Sequence, residues 1–365
     1  MKIVFDHQCF LFSNYGGISR YYCNLIEELI KMKEDVNIVA PFYQNEQLQS
    51  LTKNYVKGYK VKGFLLKPMK ISRIINDLLS SLMMSKINPD IIHETYFLPK
   101  TIISPCKARI VTIHDMIHEK FPQYFPRNDS STANKLKAIE RADHVICVSN
   151  STKYDLCSIF NIPSKKISVV YHGRENFTQN NSKVAFYNDR PFLLHVGGRN
   201  IYKNFIQTLK AVANSPELRK TFDIVAFGAG KFSKDEEAII RQLKLNEGSV
   251  KQISGNDKLL GDLYKQATAL VYPSLYEGFG LPILEAMQYG CPVICSNSSS
   301  MPEVGGDASQ YFNPHSTEDL SEAIKKVVFN EARKAELISN GYARINLFSW
   351  KKCANETLNI YKNLM

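Results

Sequence analysis

Glu277 and Glu285 bracket the run "EGFGLPILE" (277–285), in which everything between the two acids is glycine, proline or hydrocarbon. Pro282 stands where the first turn of a helix would begin, a place at which its missing N–H does no harm. The loop Gly278, Phe279, Gly280 and Leu281 then turns backbone amide groups toward whatever lies over that helix end, and an anionic phosphate suits them. The acids themselves suit hydroxyl groups, so the pair reads as acceptors for sugar hydroxyls on either side of a diphosphate. Taken alone, the same residues also fit a helix charge at 285 and a solvated loop acid at 277. A second set lies in "GGRNIYKNF" (197–205), where two glycines precede Arg199 and Lys203. Both cations can reach one side of a strand end and clamp a diphosphate, or they form an ordinary surface pair. A third is "SNYGGISRYY" (13–22), where Gly16 and Gly17 open a helix and allow close approach to an anion, or simply make a tight turn.

Such loops need a frame, and the chain supplies one in alternating β-rich runs and amphipathic helices, the mark of right-handed βαβ units. Strands are expected at 2–6, 36–40, 90–94, 109–115, 144–149 and 167–173, with helices near 18–32, 72–86, 131–142 and 150–160. A polar, turn-rich stretch at 174–191 reads as a linker. The pattern then restarts with strands at 192–197, 222–228, 250–254, 269–273 and 292–296, and helices near 203–213, 235–245, 257–267 and 282–289. From about residue 316 it is helical only. At 365 residues the chain exceeds one hydrophobic core, and two tandem doubly wound α/β domains of roughly 150–190 residues each follow. The expected division is 1–175, a linker at 176–191, 192–347, and a final helix at 348–365. Sheets of this kind bind ligands at the carboxyl ends of their strands, where all three glycine-rich loops fall.

Composition narrows the setting. No run of 18 apolar residues occurs, so no membrane span is expected. The opening "MKIVFDHQCFLF" is broken by Asp6 and His7 and reads as a buried strand rather than a signal peptide. Eight cysteines without C-x-x-C pairs read as reduced core residues of a cytoplasmic protein. The net charge of +11 is uneven: residues 1–180 hold 24 Lys and Arg against 16 Asp and Glu, while 181–365 hold 22 against 19. Much of the excess lies at 53–73, seven basic residues without an acid, interleaved with Phe64, Leu65, Leu66 and Met69. That segment fits an anionic membrane surface or an anionic substrate, and equally a solvated basic face. No helix-turn-helix, zinc or RNA-binding signature accompanies the charge, so no nucleic-acid partner is expected.

"EGFGLPILE" resembles the E-x7-E signature of the retaining glycosyltransferases of family 4. "GGISRY", "TIHD", "VSNSTKYDL", "VGGRNIYKN" and "SSMPEVGGDAS" resemble that family's blocks in the same order, covering nearly the whole chain. The resemblance implies the GT-B architecture: two Rossmann-like domains facing across a cleft, the donor nucleotide mainly on the second, the acceptor mainly on the first. The last helix would cross back to the first domain. It also implies that Arg199 and Lys203 bind the donor diphosphate, Glu285 the ribose and Glu277 the transferred sugar. Backbone amides of Gly278 to Leu281 would hold sugar or phosphate oxygens, and Gly16 and Gly17 would close on the phosphate. His114 of "TIHD" would sit beside the reacting carbon. Family members often carry the arginine directly after one glycine, whereas Gly198 intervenes here.

The implied reaction moves a hexose from a nucleotide sugar with retention, to a saccharide or lipid-linked saccharide in surface polysaccharide or lipopolysaccharide synthesis. Mannose is the sugar to which the polysaccharide-assembly branch leans. Prearranged cations and amide dipoles would stabilise the departing diphosphate. No cofactor and no metal is expected, in keeping with the lack of a D-x-D element. The competing readings are a non-catalytic subunit that binds a sugar nucleotide, and a sugar-nucleotide epimerase on the same architecture. A peripheral position at the inner face of the cytoplasmic membrane would give 53–73 a use.

Overall fold

The computed structural model describes residues 1–12, 14–51, 54–100, 102–174 and 190–365. It divides into two compact units, one of residues 1–173 with 350–365, the other of residues 174–349. Most of the stretch read as a linker, 175–189, lies outside the described residues.

In the first unit seven parallel strands among the described residues make one sheet. They are β1 (Lys2–Phe5), β2 (Asp35–Tyr43), β3 (Val56–Lys60), β4 (Ile91–Glu94), β5 (Ala108–Ile113), β6 (His144–Cys147) and β7 (Ile167–Val169), in the order β3-β2-β1-β4-β5-β6-β7. The central strands are short apolar runs buried on both faces, as parallel sheets covered by helices require. Helix Gly17–Lys31 buries Tyr21, Tyr22, Leu25, Ile26 and Leu29 at helical spacing. Against it packs the last helix, Trp350–Asn363, through Trp350, Cys353, Ala354, Leu358 and Tyr361. The return of that helix to the first unit agrees with the expected architecture.

The second unit repeats the plan with β8 (Phe192–Val196), β9 (Asp223–Phe227), β10 (Val250–Ile253), β11 (Ala269–Tyr272), β12 (Val293–Ser296) and β13 (Ser309–Phe312), in the order β10-β9-β8-β11-β12-β13. All its pairings are parallel. The strand order reverses between β1 and β4 in one sheet and between β8 and β11 in the other. Those are the points at which such sheets open a ligand crevice.

Two strands escaped the sequence reading, β3 and β13, both at sheet edges. β3 is largely exposed and carries Gly58, so it lacks the buried apolar run that marks the inner strands. The helix expected from 203 instead begins at Phe205, after a single 3-10 turn over Ile201–Lys203 and a left-handed Asn204 at φ +57°.

Each core holds a buried neutral histidine. Burial lowers His93 to a pKa of about 3 and His195 to about 4. Above the ordinary histidine value both folded and unfolded chains carry them neutral. Below it the unfolded chain takes up the proton first, so stability falls as pH falls from about 6.5 toward those folded values. Each histidine contributes a slope of about 1.4 kcal/mol per pH unit in that window. Urea-unfolding midpoints should therefore drop on acidification, and His93→Gln should flatten the slope for the first unit.

Candidate active site

β8 and β11 are neighbours in the second sheet, so the loops that leave their carboxyl ends lie side by side. The amide of Leu275 donates to the Tyr202 carbonyl at 2.8 Å and ties one loop to the other. That tie presents Lys203 to Glu277: Nζ lies 2.6 Å from Oε1 and 2.9 Å from Oε2. Asn204 fixes the lysine loop from behind, its side-chain amide donating to the Pro314 carbonyl at 2.9 Å.

Glu277 is held on every side. The Ser274 hydroxyl donates to Oε1 at 2.6 Å, and the buried Tyr272 hydroxyl also hydrogen-bonds the carboxylate. Burial first, then the charge of Glu277, pushes the Tyr272 phenol well above its usual range, so it stays a donor. The Glu277 amide donates to Ser299 Oγ, and Ser300 Oγ reaches the carbonyls of Glu277 and Phe279 at 2.9 and 2.8 Å. Helix Leu281–Gln288 then starts without a side-chain cap, behind Gly280 at φ +105°, a conformation that any side chain would strain. No side-chain oxygen therefore caps its N-terminal dipole.

Glu285 sits in the second turn, 6% exposed, and accepts from Tyr264 Oη at 2.9 Å. Glu277 is 7% exposed. Neither is a solvated surface acid. Burying two carboxylates so close that Tyr272 feels both is costly unless cations and donors compensate, and Lys203, Ser274, Tyr272 and Tyr264 provide them.

Arg199 has other partners. Its guanidinium is 4% exposed and pairs with Glu236 at 2.6 Å. It also donates to the carbonyls of Gly228, Gly230 and Lys231 at 2.9–3.0 Å and stacks over the Phe232 ring. The guanidinium is thus engaged by Glu236 and by the loop after β9, whereas Lys203 meets Glu277. Arg199→Lys should lower stability by about 1–3 kcal/mol, because an ammonium keeps the charge but cannot reproduce the fork and leaves carbonyls short of donors. Urea unfolding measures it, and an unchanged midpoint would show the cluster to be incidental.

In the first unit His114 follows β5. Its ring packs edge-on against Tyr21 at 5.1 Å and lies 6.0 Å from His172. Burial lowers it to about 4, with Asp115 opposing and Lys135 adding to the shift, so at neutral pH it is an uncharged imidazole. Nε2 is buried and makes no hydrogen bond among the described residues. Gly16 caps helix Gly17–Lys31 from an extended backbone, without a side-chain cap, and a Cβ on Gly17 would meet open space.

Tyr272, Tyr264, Ser274, Ser299 and Ser300 were not anticipated. The signal for the first and third was "VYPS" at the end of β11, a phenol and a hydroxyl at a strand terminus. The serine run 298–300 offered a weaker one.

The family description "Glycosyltransferase Family 4" matches residues 15–175, and "Glycosyl transferases group 1" matches residues 176–344. The chain is 26% identical to the O-antigen chain mannosyltransferase B of Escherichia coli, covering 100% of both. It is 30% identical to the O-antigen chain mannosyltransferase RfbU of Salmonella typhimurium over 60% of this chain and 61% of that one. Among solved structures, WaaG, a glycosyltransferase involved in lipopolysaccharide biosynthesis, superposes with a TM-score of 0.75 at 16% identity, over 98% of this chain and 99% of that one. Two family descriptions in tandem, parallel sheets of matching order and a shared GT-B fold agree: the chain belongs to the glycosyltransferases, a family 4 domain followed by a group 1 domain.

Proposed function

We propose that this glycosyltransferase moves mannose from a nucleoside-diphosphate sugar, with retention at the anomeric carbon, to a saccharide or lipid-linked saccharide during surface polysaccharide or lipopolysaccharide assembly. The observation that carries it is the Lys203–Glu277 pair at the sheet's switch point, beside an uncapped helix N-terminus. In this reading Lys203 and the amides of Gly278 to Leu281 bind the donor's diphosphate and take up charge as it leaves. Glu285 accepts from the ribose hydroxyls and Glu277 from those of the sugar. On the first unit, the helix N-terminus at Gly16 and Gly17 is read as phosphate-binding and neutral His114 as a hydrogen-bonding group for the sugar. The names of the curated relatives supply mannose and the polysaccharide. Protein charges and dipoles suffice for the leaving group, so activity should persist in a chelator. The enzyme would work in the cytoplasm, at the inner face of the membrane that holds a lipid-linked acceptor. No helix among the described residues is long and apolar enough to cross that membrane.

Thermal-shift titration with GDP, UDP and dTDP tests the donor site. A diphosphate at 100 times its Kd stabilises the folded state by about 2.7 kcal/mol. One of the three should raise the wild-type midpoint and leave Glu285→Ala nearly unmoved, with Tyr264→Phe as control for the lost hydroxyl. If none raises it, the donor site as described fails. If the sugar conjugate turns over without acceptor to an epimer, the reaction is not transfer.

A further inference from the structure

Helix Met69–Ile87 presents apolar residues outward as well as inward. The residues it turns to the protein are Asn76, Ser80 and Met84, and those it turns outward are Ile71, Ile74, Ile75, Leu78 and Leu82, each 42–63% exposed. The inward polar groups are all employed. Asn76 Oδ1 accepts the Phe42 amide at 2.9 Å, its side-chain amide donates to the Ser72 carbonyl, and Ser80 Oγ bonds His7 Nδ1 at 3.0 Å. Polar anchoring by Asn76 and Ser80, together with Met83, Met84 and Ile87 packed on the sheet's apolar cluster, fixes the helix, and the aliphatic stripe from Ile71 to Leu82 stays exposed. Phe64 and Leu65, 66% and 62% exposed, continue the stripe at its N-terminal end, and Ile103, 77% exposed, lies beside it where Ser81 Oγ bonds the Ile103 carbonyl. From Ile71 to Leu82 the stripe runs about 16 Å along the helix. Exposed apolar surface of this extent marks an interaction site.

Charge decides the occupant. Lys62, Lys67, Lys70 and Arg73 flank the stripe, and Asp77 is the sole acid between Glu46 and Asp90. A second copy would bring the same cations face to face, since a symmetric pair repeats its own surface. An anionic bilayer offers the complement to both features, acyl chains for the stripe and headgroups for the cations. The basic run expected at 53–73 is only partly available for this: Lys60 bonds Glu46 and Gln49, and Lys57 bonds the Asn54 carbonyl. The useful surface starts at Lys62 and extends into a helix that the charge pattern alone did not mark.

We propose that helix Met69–Ile87, with Phe64 and Leu65 leading it, lies flat in the interface of an anionic membrane as the docking element of this glycosyltransferase. Phe64 and Leu65 follow the carboxyl end of β3, the sheet edge at which His114 follows β5. Docking there brings a membrane-bound acceptor to the catalytic edge of the first unit, a consequence that rests on the function proposed above.

Sedimentation with phosphatidylcholine vesicles, with and without phosphatidylglycerol, tests it on the full chain. Wild type should pellet with the anionic vesicles only. Lys67→Gln/Lys70→Gln should weaken that partition roughly 20–30-fold, and Leu78→Ser/Leu82→Ser by about tenfold or more. These side chains are exposed, so thermal midpoints should not move, and nucleoside-diphosphate binding should be unchanged in both variants. Loss of vesicle binding with intact diphosphate binding separates docking from the donor-site reading. Failure of wild type to bind anionic vesicles, or equal binding by the variants, overturns the proposal. So does a dimer in light scattering that Leu78→Ser/Leu82→Ser dissolves, which would make a second copy the occupant.

Discussion

Lys203→Ala is expected to lower kcat by about 10²–10³-fold while leaving acceptor KM little changed, the loss seen when one preorganised charge stabiliser is removed from a leaving-group site. The substitution also acts on stability. Glu277 would keep Ser274 and Tyr272 but lose its cation, and an uncompensated buried carboxylate costs about 3–5 kcal/mol. Lys203 retains some exposure, its side chain being 17% accessible, which places the cost at the lower end. The two effects come apart in Lys203→Ala/Glu277→Gln. Removing the stranded charge should restore most of the urea midpoint and none of the rate. A double variant whose kcat recovers along with its stability would show that Lys203 serves only to hold Glu277. Lys203→Arg, which keeps charge but changes its shape, should fall between wild type and the alanine variant.

Ending the chain at Ser349 should abolish cooperative folding of the first unit and spare the second. Helix Trp350–Asn363 buries Trp350, Cys353, Ala354, Leu358 and Tyr361 in the first unit's core. The larger of these contribute about 1.5–3 kcal/mol each, and together they rival the whole stability of a domain. Their loss would also leave Tyr21 without the edge of Trp350 at 6.0 Å, and His93 Nδ1 without Tyr361 Oη at 2.6 Å. Limited proteolysis should cleave residues 1–173 rapidly in the truncated chain and leave 190–349 as a resistant fragment. Tyr361→Phe isolates the polar part, with an expected cost of about 1–3 kcal/mol from the orphaned imidazole nitrogen. Equal protease resistance in full-length and truncated chains would mean that the helix is an ornament on a self-sufficient unit.

Most of the inner framework could be read from the sequence because parallel strands buried on both faces must be short apolar runs, and the helices between them must carry one apolar stripe. "FLLHV" and "PVICS" could hardly be anything else. β3 and β13 escaped because "VKGYK" and "SQYF" are too polar to show a strand pattern, whereas the other two edge strands, β7 and β10, keep enough of one to be read. Glu277, Glu285 and Lys203 stood out by their place beside glycines at strand ends, but that pattern alone also fitted a helix charge, a solvated acid and a surface cation, and the resemblance to the E-x7-E block singled them out. Arg199 could not be told from Lys203 that way: both follow the same glycines, and only the fold shows that one guanidinium meets three carbonyls of a neighbouring loop. Tyr272 and Tyr264 were hidden because a buried tyrosine in a strand or helix looks like core until its hydroxyl is seen to meet a carboxylate. The outward stripe on helix Met69–Ile87 was the least legible. Its apolar period is ordinary, and nothing in a period says which side faces in.

The return of residues 350–365 to the first unit sets an order of events during synthesis. Residues 1–173 leave the ribosome before residues 174–349, yet the helix that closes their core is made only after both. At about 5–20 residues per second the intervening 174–349 take on the order of ten to thirty seconds to translate. Throughout that interval the apolar face around Tyr21 and Leu25 waits uncovered, while the second unit has all the residues it needs before that helix is made. The unit that begins first therefore finishes last, and nascent-chain holdases would meet this protein through its amino-terminal half.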